Sequence, residues 1–281
     1  MQANHTRTVI QAEASPFDWR LGELWSYRDL IALLVWRDFV SVYKQTVLGP
    51  IWHLVRPLLT ALVFTVVFGT IAELPTEGAP RFLFYLAGTI GWTYFSTSLD
   101  QTARTFVGHA HLLGKVYFHR LAIPLSIVVS NLVSLGIQLG IFLVVVAWYV
   151  AAGGRLNPSP WLMAFPFLIL VLAGYALGLG VIVCAMTTRY RDLAYLVSFG
   201  LQLFMYVTPV IYPVSAVPER FRWIAQLNPL APVFEALRLA LLGVGSVNTG
   251  HLAMSVGTML LLLVVGLTFF TKVERTFMDT V

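Results

Sequence analysis

Apolar residues in this chain run together in blocks of about twenty, separated by short polar breaks. A helix needs roughly 20 mostly apolar residues to cross about 30 Å of hydrocarbon. Six blocks reach that length: 51–72, 82–103, 121–149, 161–187, 193–212 and 251–271. The loops between them are short except 213–250, where the apolar stretch 239–250 leaves room for a seventh, short or re-entrant segment. Residues 1–20, with Arg7, Glu13, Asp18 and Arg20, carry neither the apolar core nor the cleavage pattern of a secretory signal.

Residues 21–44 follow another rule. On a wheel of about 100° per residue, Glu23, Asp29, Arg37, Asp38 and Lys44 fall within one half. Leu24, Trp25, Ile31, Val35, Trp36, Phe39 and Val42 gather on the other, and Arg28, the exception, is long enough to snorkel. This predicts an amphipathic helix lying in a membrane interface, where tryptophan is favoured, or packed on a partner, or both on different faces. Gly49-Pro50 then breaks the helix, because proline disfavours helical geometry just before it and suits the first turn of the next helix. The predicted organisation is a flexible cytoplasmic N-terminus (1–20), an interface helix (21–48) and a membrane domain (49–281). Arg56, one turn inside the first span, either snorkels to phosphates or faces an aqueous lumen.

Composition agrees with the pattern. The chain of 281 residues is 58% hydrophobic and 11% charged, with mean hydropathy +0.79, whereas soluble domains carry about 25% charged residues. The expected fold class is all-α integral membrane. The formal charge of +5 is explained by basic cytoplasmic loops and does not require nucleic acid. The N-terminal segment through Arg56 holds six Lys or Arg, and Arg104, Lys115, Arg120, Arg189, Arg191, Lys272 and Arg275 fall on the same side. The opposite side holds only Arg81, Arg155, Arg220, Arg222 and Arg238, so both termini are predicted cytoplasmic. A single cysteine, Cys184, excludes a disulfide or a thiolate cluster within one chain. Gly136 with Gly140, and Gly174 with Gly178, are spaced to let helix backbones approach closely.

The chemistry of a catalyst or an energy source is absent. "GHAHLLGKV" at 108–116 has five residues between its glycines and Val116 where Ser or Thr must reach magnesium, so it is no phosphate-binding loop. His109, His111 and His119 lack the spacing that puts two ligands on one helix face, and no hydrolase or zinc-protease motif occurs. Asp100 alone lies near a span interior, which disfavours a proton-coupled carrier. Aromatics make up 14% of the chain and form two ordered faces. Tyr85, Gly88, Trp92 and Phe95 share one on the second span; Tyr195, Phe199, Gln202 and Tyr206 share another on the fifth. Rings with an amide suit a lumen for sugars, stacking on C–H faces while polar groups exchange hydrogen bonds; ring-rich helix packing is the other reading.

"YKQTVLGPIW", with its span running to "FTVVFG", resembles the permease subunits of type-2 ABC exporters that move polysaccharides. "KVYFHRLAIPLS" (115–126), "TTRYRDL" (187–193) and "SAVPERFRWIAQLNPLAPVFEALRLALLG" (215–243) are similar to the family's two cytoplasmic loops and its long external segment. The likeness covers roughly 20–272; His119 stands where the family pattern expects proline. It is closest to lipopolysaccharide O-antigen exporters, with teichoic acid and capsule exporters as near relatives. The resemblance implies six spans in a bacterial inner membrane, re-entrant gate helices between the fifth and sixth, and a pore built by a homodimer. It also implies two copies of a separate cytoplasmic ATPase that binds ATP and magnesium, this chain being no enzyme and holding no cofactor. A polyprenyl-pyrophosphate-linked polysaccharide would meet Arg37, Lys44 and Arg56 at the membrane surface. The loop 106–119, with His111, Leu113, Gly114 and Lys115, would dock on the ATPase. Pro218, Pro229, Glu235 and Arg238 in segment 213–250 would cap the outer mouth, and the two ring faces would line the pore. A drug or small-lipid exporter is the rival within the fold. A polyprenol-lipid transferase is the rival outside it, but after residue 44 the cytoplasmic side offers only scattered Asp192, Glu274 and Asp279 to hold a metal.

Overall fold

The structure, a computed structural model, describes residues 19, 21–44, 51–108, 118–157, 159–187, 190 and 192–277. These residues form α-helices joined by turns, with no strand among them. Helices α1 (Leu21–Ser26) and α2 (Arg28–Lys44) join through a turn at Tyr27. Helix α3 (Ile51–Phe64) runs on into a π-helical turn, Thr65–Ile71. Then come α4 (Arg81–Ala103), the short α5 (Thr105–Gly108), and α6 (Ala122–Ala151). A 3-10 turn, Pro160–Ala164, leads into α7 (Phe165–Thr187), followed by α8 (Leu193–Val207). Two short helices, α9 (Glu219–Leu227) and α10 (Ala231–Leu242), precede α11 (Thr249–Phe277).

Among the described residues, four stretches are long and apolar enough to cross a bilayer: Leu54–Ile71, Ala122–Ala151, Pro160–Thr187 and Thr249–Val273. Helix α4 is long enough but more polar, and its position explains why. It is the hub of the bundle, packed against α3, α6, α7, α8 and α10, and 16 of its 23 residues are buried. A helix sheathed by protein keeps its hydroxyls and carboxylate away from lipid, so apolar composition is not demanded of it. Helix α8 stops at Val207, five residues short of the apolar block that ends at 212. The residue before Pro209, Thr208, is held extended (φ −81°, ψ 136°), as proline requires of its predecessor. No seventh helix forms at 239–250. Leu242 ends α10, and Gly243 takes a left-handed backbone (φ 70°) that closes the helix.

One of the two glycine pairs makes the close seam the spacing predicts. A Cβ on Gly178 would lie 3.0 Å from the backbone of Leu262 and Leu263, and one on Gly266 only 2.5 Å from the Gly178 carbonyl oxygen. The seam brings α7 and α11 together, and Tyr175 Oη crosses it to donate to the Ser255 carbonyl at 2.5 Å. Gly136 and Gly140 meet nothing within 4 Å and make no such seam in the protomer.

The N-terminal helices divide their apolar residues between two faces. Leu34 is buried against Ile123 and Ile127 at the start of α6, with Leu24 and Leu30 beside it. Trp25 and Trp36 point outward, 71% and 64% exposed. One face therefore holds the bundle and the other is free for headgroups. Trp19 Nε1 donates to Thr268 Oγ1 of α11 at 3.3 Å, which adds a second tie.

Candidate functional site

Helices α3 and α8 flank α4 and leave part of their surface uncovered. On α8 the predicted face is open: Tyr195, Phe199 and Tyr206 are 75%, 58% and 53% exposed, and Gln202 is exposed between them. The opposite side of α8 rests on α4 and α7, with Phe204 against Trp92 at 6.0 Å between ring centroids. On α3, Arg56 is exposed and makes no ion pair among the described residues. Its neighbour Pro57 shares a void with Ile90 of α4, so Arg56 stands level with the middle of α4, not at its end. Leu59, Leu62 and Val63 continue the exposed side of α3 upward.

The ring face on the second span belongs to the core. Tyr85, Trp92 and Phe95 are 1%, 6% and 0% exposed. Tyr85 packs edge-on to Phe64 and Phe84, and Trp92 sits among Phe95, Phe204 and Phe234. The reason is the hub position of α4. A Cβ on Gly88, in the middle of that face, would lie 2.5 Å from the Val210 carbonyl oxygen, so the turn after α8 seals it. Regular ring spacing here marks helix packing.

The other predicted residues scatter. Arg37 is exposed on α2 and engages its neighbour Asp38, Nη2 to Oδ1 at 2.7 Å. Lys44 is the last residue of α2, and its side chain lies outside the described residues, as do His111, Leu113, Gly114 and Lys115. Of the loop 106–119, Phe106 is buried and stacks on Phe270 of α11 at 5.0 Å.

The external segment is tied down by buried polar contacts. Pro218 caps α9. Asn228 Nδ2 donates to Thr208 Oγ1 at 2.9 Å, and the Pro229 carbonyl accepts from Ser255 Oγ at 2.5 Å. Arg238, 2% exposed, donates through Nη1 to the Pro209 carbonyl at 2.5 Å and lies 4.8 Å over the Phe84 ring. Burial pushes the Glu235 carboxyl above the ordinary range, with Arg238 nearby opposing the shift. The segment thus joins the end of α8 to α4 and α11.

Sequence reasoning missed a polar cluster at the far end of α8. Arg104 Nε donates to Asp100 Oδ2 at 3.2 Å, and its Nη2 reaches Ser198 Oγ at 2.7 Å and the Ala194 carbonyl at 3.3 Å. Ser198 Oγ donates in turn to Asp100 Oδ1, and the Arg104 guanidinium lies 5.6 Å over the Tyr195 ring. The i,i+4 spacing of Asp100 and Arg104 was the available signal. The cluster joins the last turn of α4, just before α5, to the first turns of α8. No group of three or more His, Cys, Asp or Glu able to hold a metal occurs among the described residues.

The uncovered surface of α3 and α8 thus carries an arginine and a ring-and-amide face on the outside of the helical bundle. Residues 29–242 match the family model for ABC-2 type transporters. Curated O-antigen export system permease proteins RfbA are similar, two of them from different organisms. One, from Klebsiella pneumoniae, is 27% identical over 89% of this chain and 94% of its own length. The other, from Myxococcus xanthus, is 32% identical over 70% of this chain and 73% of its own length. With its apolar helices and this match, the chain is a multi-pass membrane protein of the ABC-2 type transporter family.

Proposed function

We propose that this chain is the transmembrane subunit of an ATP-driven exporter that moves a lipid-linked polysaccharide, O-antigen in the first instance, across the bacterial inner membrane. Six spans, α3, α4, α6, α7, α8 and α11, cross the bilayer with both termini cytoplasmic. Two copies form the pore, and two copies of a separate ATPase supply the energy. The observation that carries this reading is the uncovered surface of α3 and α8. An exposed arginine and an exposed amide are costly against lipid, and with the three rings they are useful against a pyrophosphate and a sugar chain. The names of the relatives supply the polymer.

In this reading Arg56 receives the pyrophosphate, while Arg37, already engaged by Asp38, contributes less. Sugars pass along Tyr195, Phe199, Gln202 and Tyr206. Nucleotide-driven movement of the loop 106–119 pulls on the end of α4, and the Arg104 cluster carries it into α8. The segment 213–250, with Pro218, Pro229, Glu235 and Arg238, closes the outer mouth between transport events.

Surface polysaccharide in cells carrying Arg56→Ala, and separately Phe199→Ala with Tyr206→Ala, tests this. Both should lose most export at normal protein levels. Full export in both removes this surface from substrate handling.

A further inference from the structure

Beside α3, a cleft of about 80 Å³ opens between α4 and α6. Its walls differ from everything around them. Thr93, Tyr94, Thr97 and Gln101 line it from α4, and Asn131, Ser134 and Gln138 from α6, with Leu135 as the apolar exception. Farther along α6 the outward positions are Leu143, Val144 and Trp148. Two of the polar groups are deeply buried and unsatisfied. Tyr94 is 3% exposed and Gln138 5%, and neither Tyr94 Oη nor Gln138 Oε1 has a hydrogen-bond partner among the described residues. A buried polar atom without a partner is destabilising, so two on side chains that line one cleft point to an occupant. At the lower end, Asn131 Nδ2 donates to Gln101 Oε1 at 2.9 Å. At the upper end, Gln138 also borders Pro57, the residue after Arg56.

The chemistry of the lining selects the ligand. Every polar group there is a hydroxyl or an amide, and none carries charge, so the cleft has no charge to offset that of a phosphate, a sulfate or an ammonium group. Hydroxyls and amides together donate to and accept from a ring bearing several hydroxyls. The volume holds a few waters, a water's share of liquid being about 30 Å³. It therefore takes one edge of a sugar ring while the rest stays outside. We propose that the α4–α6 cleft binds an uncharged sugar residue, held through Tyr94 Oη and Gln138 Oε1 with Thr97 and Ser134 at its sides. The inference rests on the export reading only for the source of that sugar. A lipid-linked chain anchored by its pyrophosphate at Arg56 runs from there past Pro57 towards the cytoplasm, which brings its first sugars to this cleft.

The test uses the full chain in nanodiscs of phosphatidylethanolamine and phosphatidylglycerol, free of glycolipid. The probe is octyl β-glucoside below its micellar concentration, with octyl phosphate as the charged control, and the readout is the thermal unfolding midpoint. The glucoside should raise the midpoint saturably and octyl phosphate should not. Gln138→Leu should weaken the apparent affinity about tenfold, the worth of one to two lost hydrogen bonds. Thr97→Val with Ser134→Ala, which leaves the buried groups intact, should weaken it in the same direction if Gln138→Leu does not fold. No saturable shift, an equal shift with octyl phosphate, or a shift that survives in the folded variants overturns the proposal. Surface polysaccharide in the Thr97→Val, Ser134→Ala cells then assigns the source. Lost export together with lost glucoside binding supports the polymer's own sugar; normal export with lost glucoside binding supports a membrane glycolipid headgroup in the same cleft. Failure of the export reading would leave the glucoside result standing, so the two are separable.

Discussion

Arg104 shows how much one side chain can join. Its guanidinium fork holds Asp100 on its own helix, Ser198 and the Ala194 carbonyl on α8, and the face of Tyr195. Lysine has a point charge and no fork, so it cannot satisfy that set. Arg104→Lys and Ser198→Ala should both leave ATP hydrolysis by the assembled transporter near normal and cut export per ATP several-fold. The check is surface polysaccharide against phosphate release in the same membranes; an unchanged ratio with normal protein levels takes the cluster out of coupling. Half of this cluster was legible in the sequence. Asp100 and Arg104 stand four apart, but Ser198 lies 98 positions from Asp100, and only the tertiary fold says that they touch. Arg56 was legible as an oddity, and its level beside the middle of α4 follows from where Pro57 packs. Tyr85, Trp92 and Phe95 misled for the opposite reason. Periodicity says that residues share a face; it does not say whether that face meets a lumen or another helix.

At the scale of elements, the two glycine pairs make a controlled comparison. Gly178 sits where α7 and α11 touch backbone to backbone, so a side chain there must push two spans apart. Gly178→Leu should destabilise the protein by at least the roughly 1–3 kcal/mol of an overpacked core, read as a drop of several degrees in the unfolding midpoint. Gly136→Leu meets open space and gains helix propensity, so its midpoint should not fall. A comparable fall in both would mean that a second chain covers the α6 face. The sequence could rank neither pair above the other, because small-xxx-small spacing is the same in both. The span positions were more legible. Blocks of apolar residues fix where helices lie, and Pro209 and Gly243 set two of their ends by rules of local geometry. Helix α4 is the exception in character: block 82–103 stood equal to the other five, and its more polar composition is accounted for by the neighbours that bury it.

For the whole molecule, the question is which uncovered surface meets water and which meets lipid. The chain exposes apolar side chains on many sides, as expected of a bundle that lipid covers. The export reading divides this surface sharply. The α8 face with Gln202 borders an aqueous lumen, while the α6 face with Leu143, 61% exposed, meets acyl chains. Cysteine chemistry separates the two, because a maleimide reacts with the thiolate and a thiol in hydrocarbon does not ionise. The native protein is a clean background: its single cysteine, Cys184, is wholly buried. In membranes carrying the assembled transporter, Gln202→Cys should therefore label with a charged, membrane-impermeant maleimide, and Leu143→Cys should stay unlabelled until detergent is added. Labelling at Gln202→Cys should also fall when the polymer fills the lumen, as in cells whose ATPase partner is catalytically dead and whose polymer synthesis continues. Equal labelling at the two positions, or labelling at Leu143→Cys alone, would place water on the wrong side of the bundle and remove α8 from the pore wall.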